Sequence, residues 1–275
     1  MITYHLHIES SAAILVPYLD QLKAILVRYE KQRSICDCII HILVLMSQIG
    51  PQSRRSILRS EILSNIDTVV ILHIDHITNI NNAFTLFIEM ADSDEGTDAI
   101  INYGAINIAV KVIHRLFHSD NKGEEVMQVI ADALRVIQVM AEKGTNVMPF
   151  FMLASGYPTL IELWSARDTS LKIRQAILSI FFRLLQYEDG NEVLKTFSLP
   201  LALLGEETTI VDAPLVALLW SCIRYFVQRH GKLISSEDII RILNAAVQYG
   251  SMFPTDEVFV FHLSWTLFTL TSLGE

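Results

Sequence analysis

The sequence predicts an all-α solenoid of about five to six repeats, and three observations carry that prediction. A phrase recurs about every forty residues: a long apolar helix, a polar turn, a short apolar stretch, a small or turn-forming residue, then a second apolar helix. Within the long segments the apolar residues recur at three and four, as in Leu171, Ile173, Ile177, Leu178, Phe181, Leu184 and Leu185. That is the period of a broadly buried helix, and no long stretch alternates as a strand would. The composition agrees: 51% of the 275 residues are hydrophobic and 19% charged, with 11 Gly and 7 Pro. Such a chain folds rather than remaining disordered. A solenoid also escapes the size limit of a single core, because each repeat buries its face against its neighbours.

The elements follow in order. Long helices are predicted over 35–48, 80–91, 125–142, 171–187, 214–228 and 256–273. Second helices are predicted over 62–74, 106–117, 157–164, 199–204 and 239–249. The turns that precede these second helices place Glu61, Gly104, Gly156 and Ser198 at equivalent positions. A fifth mark falls at 235–238, where serine followed by acidic residues is a good helix start. The interval from Gly104 to Gly156 is longer than the others, and the polar loop 118–124 is expected to account for it. The reading is a single repeat domain over 1–275, with repeats near 1–61, 62–104, 105–156, 157–198, 199–236 and 237–275. The last apolar helix is followed only by Leu273-Gly274-Glu275, without a polar capping repeat. That helix is expected to cap itself or to offer an apolar face to a partner or to another copy of the chain.

Charge and cysteine usage bound the function. The net charge of −9 argues against nucleic-acid binding, but it is unevenly spread. Lys23, Arg28, Lys31, Arg33, Arg54, Arg55 and Arg59 face only Glu30 and Asp37 in one stretch. Residues 60–110 then hold no Lys or Arg and eight carboxylates, from Glu61 to Asp98. A partner would meet a field that changes sign. Cys36, Cys38 and Cys222 form no disulfide framework and suit a reducing compartment, cytoplasmic or nuclear. The strongest apolar runs are short or interrupted by polar residues, so no membrane span is expected. The N-terminal residues lack the basic region of a secretory signal.

This order of helices and turns resembles the armadillo repeat. The segment 94–106, Asp-Glu-Gly-Thr-Asp-Ala-Ile-Ile-Asn-Tyr-Gly-Ala-Ile, is similar to that family's inter-repeat segment, and 188–194 resembles its polar turn. The resemblance spans about 30–273 and is strongest over 80–205. It implies a concave groove, lined by the third and longest helix of each repeat, that holds extended peptides. Peptide-transporting members carry a repeated Trp-x-x-x-Asn there. The nearest matches in this chain are Trp220 with Arg224 and Trp265 with Thr269, while other long helices offer Leu134/Gln138 and Ser179/Arg183. The missing Asn ladder argues against nuclear-import cargo. The resemblance leaves Gln138, Arg183, Trp220, Arg224 and Trp265 as candidate groove contacts, with Arg183 and Arg224 at matching depth to receive a carboxylate. Trp220 has a second reading, as filler of the core between repeats.

Enzyme signatures are sparse. His114 and His118 share a helix face but lack a third ligand, and His73-Ile74-Asp75-His76 reads as a helix-to-turn junction. There is no phosphate-cradling loop, nucleophile elbow or zinc spacing. The expectation is a non-catalytic scaffold or adaptor for a protein or peptide, with no metal or cofactor. A regulatory subunit docking a folded partner such as a kinase or chaperone is the alternative. A metal-dependent enzyme built on the histidine clusters is the remaining one.

Overall fold

The computed structural model describes residues 14–120, 123–144, 147–166, 169–186, 204 and 212–272. Every regular element among them is helical. The chain falls into two compact units, Met1–Gly156 and Tyr157–Glu275. The boundary coincides with the third repeat mark.

In the first unit a short 3₁₀ turn leads into α1 (Leu19–Arg28), followed by α2 (Arg33–Ile49), α3 (Pro51–Arg59) and α4 (Ile66–Leu72). Then come α5 (Ile77–Met90), α6 (Asp94–Asn102), α7 (Ala105–Phe117), α8 (Glu124–Lys143) and α9 (Val147–Leu153). The long helices pack on one another, α2 on α5 and α5 on α8, while α7 backs α8. Packing outweighs propensity in α5. It holds Thr78, Asn79, Asn81, Asn82 and Thr85, together unfavourable by about 3 kcal/mol. Burial of Ile80, Phe84, Leu86, Phe87 and Met90 contributes roughly 1.5–3 kcal/mol each, so the helix forms.

The repeat marks have a backbone cause. Glu61 and Gly104 sit in the left-handed region, at φ 56° and 91°, where the first helix of a repeat hands over to the second. At the third mark that residue is Ser155, at φ 58°, one position before Gly156. Gly156 is required for a different reason: a Cβ there would run into the Phe151 ring. Gly96 is similarly enforced, since a Cβ would meet the Met90 carbonyl, and Ser93 caps α6 by accepting from the Gly96 N–H at 3.2 Å. The mark at Ser198, the second helix at 199–204 and the turn at 188–194 lie outside the described residues. The extra length before the third mark comes mainly from α8, with 20 residues against 14 in α5, and less from the loop.

Ion pairs join residues about one repeat apart. Lys23 Nζ lies 3.6 Å from Glu61, Arg54 2.6 Å from Asp92, and Arg115 3.2 Å from Asp75. Lys143 spans the longer repeat and donates to the Ala91 carbonyl at 2.9 Å, closing the end of α5. Cys36 is buried and shares its thiol proton between the carbonyls of Tyr29 and Glu30.

The second unit contains α10 (Gly156–Ser165), α11 (Leu171–Leu184), α12 (Ala213–His230), α13 (Ser236–Met252) and α14 (Glu257–Ser272). Ser170, Asp212, Ser235 and Asp256 cap α11 to α14 through N–H groups three residues on. Here α11 packs on α12 and α12 on α14. Apolar side chains left exposed concentrate late in this unit. Ile240, Leu243 and Val247 form a stripe on α13, and Phe261, Trp265 and Phe268 form another on α14. No helix of the described residues is long and apolar enough to cross a membrane.

Candidate protein-binding surface

The second unit carries aromatic and cationic side chains along its long helices. Phe182 of α11 meets Tyr225 of α12 edge-on at 6.1 Å, and Arg229 lies over the Tyr225 ring at 4.8 Å. On the opposite flank of α12, Arg224 lies over Phe261 of α14 at 5.4 Å. Trp265 stacks on Phe261 with an interplanar angle of 24°, and Phe268 follows at 6.1 Å. The guanidinium is weakly hydrated and planar, so an aromatic face holds it without removing its charge. A groove of about 420 Å³ runs beside this row, between Pro214, Leu218 and Ser221 of α12 and Asp256, Val258 and His262 of α14. Burial, with the Arg224 charge second, lowers the His262 pKa and favours its neutral form. The Arg224 Nε and His262 Nδ1 atoms are buried without a hydrogen-bond partner.

The five residues singled out from the sequence divide. Trp265 is 43% exposed and lies on the row, and Arg224 is half-buried against it. Arg183 is exposed at the end of α11 and reaches Gln186 at 3.5 Å. Gln138, in the first unit, is half-buried and donates to Glu142 one turn along α8 at 3.2 Å. Trp220 is corrected: it is fully buried, edge-on to Phe259 at 5.9 Å, and is core rather than contact surface. The matching depth of Arg183 and Arg224 is corrected too. Across α11 and α12, Leu178 meets Cys222 and Phe182 meets Tyr225, so Arg183 sits about half a turn or more beyond Arg224. Phe261, Phe268, Arg229 and His262 were missed. The spacing of Phe261, Trp265 and Phe268 is a one-face pattern, but α14 is apolar on every side, which hides it.

The histidine clusters dissolve into separate structural contacts. His73 Nε2 is 2.7 Å from the Glu30 carbonyl, His76 is 3.2 Å from Asp37, and Asp75 turns to Arg115. His114 and His118 stack at the end of α7 with ring centroids 4.4 Å apart. Among the described residues no three metal-capable side chains converge.

Solved structures supply the comparison. A computationally designed armadillo repeat protein for modular peptide recognition is similar over 91% of this chain and 99% of its own, with TM-score 0.64 and 15% identity. The chain has an armadillo-like repeat fold. A designed armadillo repeat protein in complex with the peptide (KR)4 matches with TM-score 0.63 and 15% identity, covering 93% of this chain and 99% of that one. An engineered protein matches with TM-score 0.63 and 12% identity, over 92% of this chain and 58% of that one. No protein-family model matches the sequence, and no curated protein matches it.

Proposed function

We propose that this protein is a non-catalytic scaffold that holds an extended segment of a partner protein along the long helices of its armadillo-like fold. The observation that carries the reading is the row Arg224, Phe261, Trp265 and Phe268. On α14 only Phe259 and Thr266 are buried, and Phe261, Trp265 and Phe268 keep 53%, 43% and 64% of their surface in solvent. Aromatic rings and arginines are the residue types that anchor protein interfaces, and here they adjoin a groove. The designed armadillo protein in complex with (KR)4 supports a peptide as a fitting ligand for this fold. Free cysteines support a reducing compartment, cytoplasmic or nuclear.

The test is capture of partners from a library of linear peptides displayed on phage. Wild-type protein should enrich peptides that Trp265→Ala with Phe261→Ala no longer holds, at unchanged helical content. Arg183→Glu with Arg224→Glu should also abolish capture. Retention by both double variants would remove the groove assignment. The exposed stripe of Ile240, Leu243 and Val247 on α13 favours a second reading, docking of a folded partner such as a kinase or chaperone. Cross-linking separates the two by whether contacts fall on α13 or on α12 and α14.

A further inference from the structure

We infer that the row on α11, α12 and α14 selects an acidic segment, one that alternates carboxylates with apolar or aromatic side chains. The inference rests on the peptide-groove reading and adds the chemistry of the ligand. It starts from an imbalance. The protein carries net charge −9, yet α11 and α12 hold Lys172, Arg174, Arg183, Arg224 and Arg229 and not one Asp or Glu. Arg174 is committed elsewhere, donating to the Ala166 carbonyl at 3.2 Å beside the Trp164 ring. Arg183, Arg224 and Arg229 remain on the C-terminal halves of their helices.

None of these three makes an ion pair among the described residues. Helix-end electrostatics accounts for part of this, since the helix dipole stabilises cations near a C-terminus. Arg183 and Arg229 stand in last turns. Arg224 does not. It lies mid-helix over Phe261 and leaves a buried Nε–H unpaired. A buried donor without an acceptor is unfavourable, and a ligand carboxylate at this position would relieve it. The rings that flank Arg224 and Arg229 supply the apolar half of the recognition. Asp256, the residue before α14, puts negative charge on the groove lining toward the start of that helix. That arrangement places the acidic part of the segment over the C-terminal halves of α11 and α12.

Panning a random linear peptide library on the purified full-length protein tests this. Wild type should enrich peptides of net negative charge with aromatic or aliphatic residues, and added salt should weaken their capture. A triple variant, Arg183→Glu, Arg224→Glu and Arg229→Glu, should lose that set by roughly tenfold or more while keeping its circular dichroism. Arg224→Lys keeps the charge without the planar fork and should lose part of the binding. Enrichment of neutral or basic peptides, or acidic peptides held equally by the triple variant, would overturn the charge selection. The groove reading would survive that result if Trp265→Ala still abolished capture. Enrichment of nothing beyond an unrelated helical protein would remove the groove reading and this inference together. Light scattering closes the remaining case: twice the chain mass of 31.1 kDa, reduced to one copy by Phe261→Ser with Phe268→Ser, would assign the face to a second copy and sink the proposal.

Discussion

Arg54 and Arg115 of the first unit are used differently from Arg224 and Arg229 of the second. In the first unit Arg54 donates to the Ser47 carbonyl at 2.9 Å and reaches Asp92 at 2.6 Å, tying the end of α2 to the turn after α5. Arg115 and Lys23 likewise find carboxylates about one repeat away. In the second unit Arg224 and Arg229 lean on aromatic rings and make no ion pair among the described residues. The difference lies in sequence order. A basic stretch followed one repeat later by an acidic one brings opposite charges together when the repeats stack. The helices α11 and α12 are both basic, so stacking them supplies no internal partner. Arg54 and Arg115 are thus neutralised inside the fold, whereas Arg224 and Arg229 are set against rings.

That contrast can be broken most forcefully at the tryptophans. Trp220→Ala removes a fully buried ring and should lower the unfolding free energy by about 3–5 kcal/mol in urea denaturation. Trp265→Ala should stay within about 1 kcal/mol while peptide capture is lost. Similar costs for the two would erase the division between core and surface. The arginines come next. Arg54→Ala should destabilise by about 1–3 kcal/mol, because its head is largely enclosed and satisfies two groups. Arg183→Ala should remain within about 0.5 kcal/mol. If Arg183 proved the costlier, the assignment of structural and displayed cations would be reversed.

Smaller effects concern the turns. Ser155→Gly and Glu61→Gly relieve a left-handed backbone and should raise stability by up to about 1 kcal/mol, whereas Gly104→Ala should lower it by about 1–2 kcal/mol. Loss of stability in the glycine variants would show that the Ser155 and Glu61 side chains outweigh their backbone strain. The smallest effect is on pH. His262 has a lowered pKa in the folded protein, so its share of stability is full above the ordinary histidine value of 6.5 and is lost as pH falls below it. His262→Gln should flatten the melting-temperature profile across that window, and an unchanged slope would argue against the burial assigned to this ring.

Much of the fold was legible because its signals are local. The turn at Gly104 needs a residue that tolerates positive φ, and the long helices need apolar residues at three and four. The third mark came out one residue late because two demands fall on adjacent positions: Ser155 takes the left-handed turn, and Gly156 gives way to the Phe151 ring. The surface was less legible, since it depends on rotation about helix axes. Trp220 and Trp265 stand in similar local sequences, yet α12 turns its tryptophan onto Phe259 while α14 turns its own outward. A helix apolar on all sides gives no period from which to read that choice. The register between α11 and α12 is a tertiary quantity, so the relative depth of Arg183 and Arg224 could not be read from spacing alone.

The cysteines equip the molecule with a built-in reporter. Cys38 is exposed, whereas Cys36 and Cys222 are buried with their thiols on backbone carbonyls. Burial raises the Cys36 pKa, with the Asp37 charge adding to it, and pushes Cys222 up to about 12. Since only the thiolate reacts, a brief maleimide pulse on the native protein should leave one adduct, at Cys38. Later adducts at Cys36 would time the opening of the first unit, and those at Cys222 the opening of the second. Mass spectrometry of the intact chain and its peptides can therefore clock each half of this solenoid separately, without adding a single foreign probe site.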